Sequence, residues 1–250
     1  MSPIELNILL PAFLAGLLVL STHIPFGMKV LERGVIFADL AVAQIAGMGV
    51  MIAALLDLTE QPLLVQLVAG ASALCGAALL AWIETRLPEV KEACIGLTFV
   101  LAACASILLM NRDVHAGEHL KDLLVGQILW VSTSQLIATA LLSVVLLALS
   151  RWGRLKSNLG FYTLFALAIT ASVQLAGVYL VFASLIIPAL ATHHIARNRM
   201  PYAYLVGISG YAGGLLLSAW FDLPSGAAVV WAMAVTGIVI AWCLNRRKTA

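Results

Sequence analysis

Residues 62–83 read PLLVQLVAGASALCGAALLAWI, and none of these 22 residues is charged. As an α-helix the run would be about 33 Å long, enough to cross a hydrocarbon layer about 30 Å thick. It lacks the alternating apolar and polar pattern, in segments of about ten residues, that marks a membrane β-barrel strand. Eight further apolar segments lie on either side of it, at 6–22, 35–56, 93–110, 123–149, 160–174, 176–194, 202–221 and 226–244. The segment at 160–174 is the shortest, and it is either a crossing barely long enough for the layer or a half-helix packed against 176–194. The fold class is therefore an all-α polytopic membrane protein with eight to nine transmembrane helices, forming a single transmembrane domain over 1–250.

Composition agrees. Of 250 residues, 62% are hydrophobic and 10% charged, and the mean hydropathy is +1.04. Soluble domains carry roughly 25% charged residues, so a soluble enzyme, a disordered chain and a secreted disulfide scaffold are excluded. A net charge of +2 also excludes a nucleic-acid binder built on a basic surface. No independent soluble domain fits between the segments. The four cysteines, Cys75, Cys94, Cys104 and Cys243, lie in or beside apolar runs without a CxxC pair and are expected to be small apolar fillers. The first ten residues carry Glu5 and no basic residue, so the first apolar run is expected to be a retained helix and not a signal peptide.

The loops sort by charge. Lys29, Arg33, Arg86, Lys91, Arg151, Arg154, Lys156, Arg197, Arg199, Arg246, Arg247 and Lys248 fall on one side, and only Arg112 and Lys121 on the other. The positive-inside rule then places the N-terminus outside and the C-terminus in the cytoplasm, with an odd number of crossings. Trp82, Trp152 and Trp242 near one boundary, with Trp130 and Trp220 near the other, form an interfacial belt.

Polar residues inside such segments are costly, which makes them informative. Asp39 is the only acid well inside an apolar segment, at a cost of about 2.5 kcal/mol or more unless it faces a bundle interior, a cavity or a cation. It is either a pathway residue or an interfacial acid paired with Arg33 or Lys29. Gln44, Gln66, Gln135 and Gln174 are expected to hydrogen-bond between helices. Residues 111–122 read NRDVHAGEHLKD. A helix would set His115 and His119 on one face with Glu118 beside them, a spacing suited to a borderline metal such as Zn²⁺. This loop is either a metal-collecting surface or a solvated amphipathic turn. Its HxxEH pattern matches a metalloprotease signature, but no Glu follows Glu118 to supply a third ligand. His193 and His194, before Arg197 and Arg199, end their segment in the headgroup region or at a metal exit. His23 carries no assignment.

Residues 207–210 read GISG, resembling an intramembrane serine protease motif. Such chemistry needs a later His to activate Ser209, and all five histidines precede it. Gly210 and Gly214 are expected to serve close helix packing, and Pro188 is expected to break its helix.

Four collinear stretches resemble the membrane subunit of metal-ion ABC transporters, the zinc, manganese and iron import permeases. They are residues 30–39 (VLERGVIFAD), 122–132 (DLLVGQILWVS), 177–191 (GVYLVFASLIIPALA) and 217–227 (LSAWFDLPSGA). The resemblance implies the fold of a type II ABC importer permease. It implies a homodimer enclosing a central pathway in a bacterial inner membrane, among membrane lipid and without nucleic acid. It also implies a separate cytoplasmic ATP-binding subunit and an extracytoplasmic metal-binding protein. The divalent ion would be cargo, with no permanently bound cofactor, and the chain would be no enzyme. The absence of a GxxxxGK[ST] phosphate loop from the sequence agrees with a separate ATPase.

Two departures matter. The family pattern places a Gly before its Asp and a His four residues after it; here Ala38 and Ala43 stand at those positions, so only Asp39 carries over. The fifth loop, 150–159, is shorter than the family segment that seats a coupling helix, leaving Arg151, Arg154 and Lys156 as ATPase contacts. The candidate metal-path residues are thus Asp39 and, at the outer loop, His115, Glu118 and His119. Two alternatives remain: a secondary carrier without ATPase, which would show an inverted repeat with two interrupted helices, and an intramembrane metalloenzyme using the HxxEH loop.

Overall fold

The computed structural model describes residues 3–58, 60–109, 126, 128–151, 157–195 and 198–246. These form nine α-helices, one 3-10 turn at Ile128–Trp130 and no strand. The helices are α1 (Pro3–Arg33), α2 (Ala38–Leu55), α3 (Pro62–Arg86), α4 (Lys91–Leu109), α5 (Thr133–Arg151), α6 (Asn158–Ala176), α7 (Val178–Ala191), α8 (Arg199–Phe221) and α9 (Ser225–Arg246). Eight are long and apolar enough to cross a membrane; α7, with 14 residues, is the short one. Helices satisfy their backbone groups within the segment, which lets a chain this apolar reside in lipid.

Four boundaries differ from the hydropathy reading; one is the segment expected at 123–149, whose helix starts only at Thr133, after the 3-10 turn at Ile128–Trp130. The first apolar segment, expected to end near residue 22, continues to Arg33 as a 31-residue helix, so Lys29 and Arg33 lie in its last turns and not in a loop. Pro25 sits inside α1. Its missing N–H leaves the Ser21 carbonyl without its usual helical donor, and the Tyr204 hydroxyl of α8 donates to that oxygen at 3.3 Å.

The other two corrections concern α6 and α7. The segment at 160–174, either a crossing or a half-helix by its length, forms the 19-residue α6, and the short helix is its successor. The break lies at Gly177, between the two helices, not at Pro188; α7 runs through Pro188 to Ala191. Gly177 has φ 77°, a conformation that costs a side-chain-bearing residue about 1–2 kcal/mol.

The chain divides into two compact units. One comprises Met1–Arg33, Leu124–Ser143 and Leu175–Ala250. Within it α1 packs on α7 and α8, and α9 on α7 and α8. The GxxxG step behaves as expected: a Cβ on Gly214 would lie 2.3 Å from Val229 Cα, and one on Gly210 2.6 Å from Met233 Cβ. Removing those two side chains is what lets α8 approach α9 so closely. Ser209 Oγ is tied to the Leu205 carbonyl at 2.6 Å, a local helical bond with no catalytic geometry. Gln135 does not bridge helices. Ser132 and Gln135 form a capping box at the start of α5, with Ser132 N donating to Gln135 Oε1 at 2.9 Å and Gln135 N to Ser132 Oγ at 3.3 Å.

The second unit comprises Gly34–Leu123 and Val144–Gln174. Here α2 packs on α3 and α4, and its run of Ala and Gly lets them come close: a Cβ on Gly49 would lie 2.6 Å from Ser72 Oγ. Helices α3 and α6 run antiparallel and are pinned at both ends. Gln66 Nε2 donates to Gln174 Oε1, and Asn158 Nδ2 donates to Thr85 Oγ1 at 3.3 Å. The 19 residues from Gln66 to Thr85 span about 28 Å of helix, so the two polar pairs bracket an apolar stretch of about bilayer thickness. Gln66 and Gln174 thus play the interhelical role expected of them.

Candidate functional site

The site is built on the N-terminal end of α2. Gly34, at φ 64°, turns the chain out of α1, and a backbone bond from Ala38 N to Val35 O (3.1 Å) closes the turn. Phe37 is the N-cap and has no side chain able to cap the helix. Glu92, in the first turn of α4, supplies the acceptor instead: its Oε1 takes the Phe37 N–H at 3.1 Å. Its Oε2 is buried without a hydrogen-bond partner.

Asp39 lies in the first turn of α2, 1% exposed. Neither of its carboxylate oxygens has a hydrogen-bond partner. The interfacial pairing with Arg33 or Lys29 is therefore not made. An ionised carboxylate stripped of water and left without donors costs several kcal/mol. Its position at a helix N-terminus offsets part of this, about 0.3–1 kcal/mol at an ordinary surface and up to ~2 kcal/mol when partly buried. The remainder calls for a cation or a proton. Ala43, four residues on and so on the same face, is fully buried, and a methyl group occupies the position of the resembled family's imidazole. Gln44 is buried at 4% exposure.

Among the described residues no three His, Cys, Asp or Glu side chains gather closely enough to hold a metal ion. The outer-loop trio His115, Glu118 and His119 lies outside the described residues, as do Arg154, Lys156 and the side chain of Arg151. His193 and His194 sit just past α7, both exposed, with ring centroids 4.6 Å apart at 78°. Arg199 is the first residue of α8 and pairs with Glu32 of α1, an exposed contact worth about 0–1 kcal/mol.

Two residues escaped the sequence reading. Glu92 resembled a loop charge because it follows Lys91 and Glu89 in a polar connection. His23 is completely buried in α1, and the local signal was available: an imidazole within a helix whose next turn holds Pro25.

A model of the ABC 3 transport family matches residues 5–156 and 155–244. The chain is 24% identical over 251 residues to the high-affinity zinc uptake system membrane protein ZnuB of Haemophilus influenzae, covering 90% of this chain and 93% of that one. It is 29% identical over 167 residues to the manganese transport system membrane protein MntC of Halalkalibacterium halodurans, 57% of each chain. It is 26% identical over 155 residues to a probable iron transport system membrane protein of H. influenzae, 53% of this chain and 57% of that protein. The matches to the iron- and manganese-named relatives thus span a little over half of their length. In fold, it resembles a chain of PsaBC from Streptococcus pneumoniae, solved with a Fab, at TM-score 0.71 and 19% identity over 94% of this chain and 89% of that one. An inward-facing metal-chelate type ABC transporter gives TM-score 0.63 at 16% identity, over 97% and 89%.

Proposed function

The chain belongs to the ABC 3 transport family, and on that premise we propose that it is the membrane-spanning subunit of an ABC importer for a divalent metal ion. Zinc, manganese and iron are the cargo candidates, since relatives named for each are similar to it. Two copies enclose the pathway in a bacterial inner membrane. A separate cytoplasmic ATPase drives the cycle, and an extracytoplasmic metal-binding protein delivers the ion. The N-terminus faces outside and the C-terminus the cytoplasm. The ion is cargo, held in passing by Asp39, and the chain retains no cofactor.

The single observation that carries the reading is the bare, buried carboxylate of Asp39. Such a group lacks a cation or a proton; in a permease of this family a divalent ion is the cation that would pass it, and an oxygen donor accepts zinc as well as harder ions such as Mn²⁺. The test is metal uptake in cells that depend on this chain, with and without a phosphate-loop substitution in the accompanying ATPase. Uptake of at least one of the three ions should require both the chain and the intact ATPase, and the purified chain alone should hydrolyse no ATP. Metal uptake that continues with the ATPase disabled would instead establish a secondary carrier.

A further inference from the structure

We propose that the turn joining α3 to α4, residues Arg86–Val90, is a docking surface for the cytoplasmic ATPase subunit. The proposal rests on the reading of the chain as an ABC permease with its basic side in the cytoplasm, and adds a contact that the reading does not assign. The sequence builds a stiff knob here. Leu87 ends α3 at φ −129°, outside the helical region, while its N–H still donates to the Ile83 carbonyl at 2.8 Å. Pro88 follows, and its ring cannot continue the helix. Leu87 to Val90 then form a turn, closed by Val90 N donating to Leu87 O at 3.2 Å, with proline in the second position, where its fixed φ suits the turn. Helix α4 starts at once, with Cys94 N donating to the Val90 carbonyl at 3.0 Å. Every side chain from Arg86 to Val90 is exposed, Leu87 at 38% and Val90 at 52%.

Lipid tails do not account for this exposure. The Asn158–Thr85 pair marks one edge of the apolar stretch that α3 and α6 share, and the turn lies beyond it. Arg86, Glu89 and Lys91 stand around Leu87, Pro88 and Val90, and charges so placed belong in water or among headgroups. An apolar centre with a charged rim is the make-up of a protein contact. Two observations point to the ATPase as the partner. A stable interface takes about 20–30 residues a side, which residues 150–159 cannot supply alone. The turn extends that contact, because Asn158, at the end of that loop, donates to Thr85 Oγ1 at 3.3 Å. The turn also leads to the candidate site. Glu92, two residues past Val90, accepts the Phe37 N–H at 3.1 Å, and Phe37 is the N-cap of the helix that carries Asp39. A displacement of the turn thus reaches α2 through one helix start and one hydrogen bond.

The test uses the full chain co-expressed and purified with the ATPase encoded beside it. The photo-crosslinking residue p-benzoylphenylalanine replaces Val90 in one sample and Leu63, at the opposite end of α3, in another. Irradiation should join position 90 to the ATPase, identified by mass, and should leave position 63 without an ATPase adduct. An adduct with lipid alone at position 90, or no adduct there, overturns the proposal. Substitution supplies a second measurement on the same complex. Val90→Glu should bind the ATPase about tenfold more weakly, and the milder Val90→Ser should lose less. Affinity equal to wild type in both variants also overturns the proposal and leaves the turn to the lipid headgroups. A wild-type chain that binds no ATPase would refute the permease reading itself, a different outcome.

Discussion

Glu92 Oε1 accepts the Phe37 backbone N–H at 3.1 Å across 55 residues of sequence. The bond ties the start of α4 to the N-cap of the helix that carries Asp39. Phe37 cannot cap α2 with its own side chain, so the carboxylate of a neighbouring helix performs that role. Glu92→Ala should lose the acceptor and about 1 kcal/mol of stability, with uptake reduced through a displaced α2 start. Glu92→Gln keeps an acceptor oxygen and should retain more of both. Thermal denaturation in detergent and uptake at matched protein level check the pair. Equal behaviour of the two variants would show that the acceptor is irrelevant.

Gly126 supports the other irregular point of the chain. It has φ +70°, and a Cβ there would lie 2.3 Å from the Ala176 carbonyl carbon and 2.4 Å from Gly177 N. Gly126→Ala therefore combines left-handed strain of about 1–2 kcal/mol with overpacking of about 1–3 kcal/mol, against backbone that cannot move aside as a flexible side chain would. The melting temperature of the purified protein should fall by several degrees. A melting temperature equal to wild type would mean that the α6–α7 break is not held by this contact.

Hydropathy made most of the fold legible because burial in lipid depends on it directly. Its boundaries failed where backbone and side-chain preferences separate. Ser21, Thr22, His23, Lys29 and Arg33 lower the hydropathy of the second half of α1, yet the backbone stays helical: the Ser21 and Thr22 hydroxyls bond back to the Leu18 and Val19 carbonyls, and Lys29 and Arg33 stay only partly buried. Pro188 marked α7 as broken, although the chain changes direction at Gly177, where only the absent Cβ records the turn. Asp39 was legible because a carboxylate in an apolar run is expensive. Glu92 was not, because an acid among loop charges carries no such signal. Gln135 looked like a membrane amide, but Ser132 three residues earlier already spelled out a capping box.

The charge asymmetry of the loops predicts orientation. Reporter fusions within 111–121 should read as extracytoplasmic, and fusions within 151–156 as cytoplasmic. A fusion at the C-terminus should also read as cytoplasmic, which requires α7, at 14 residues, to complete a crossing together with its neighbours. The opposite pattern at the two sites would reverse the proposed direction of transport.

The most direct test of the account is uptake by Asp39→Asn. Asn keeps the size of the side chain and some hydrogen bonding but loses the charge that a passing cation would meet. Replacing His115 and His119 together by Ala should cost less, since a docking protein can deliver the ion past an outer loop. At matched membrane protein level and unchanged oligomeric state, Asp39→Asn should lower divalent-metal uptake about tenfold or more. Uptake by Asp39→Asn equal to wild type would contradict the account and leave the buried carboxylate with a purely structural role at the start of α2.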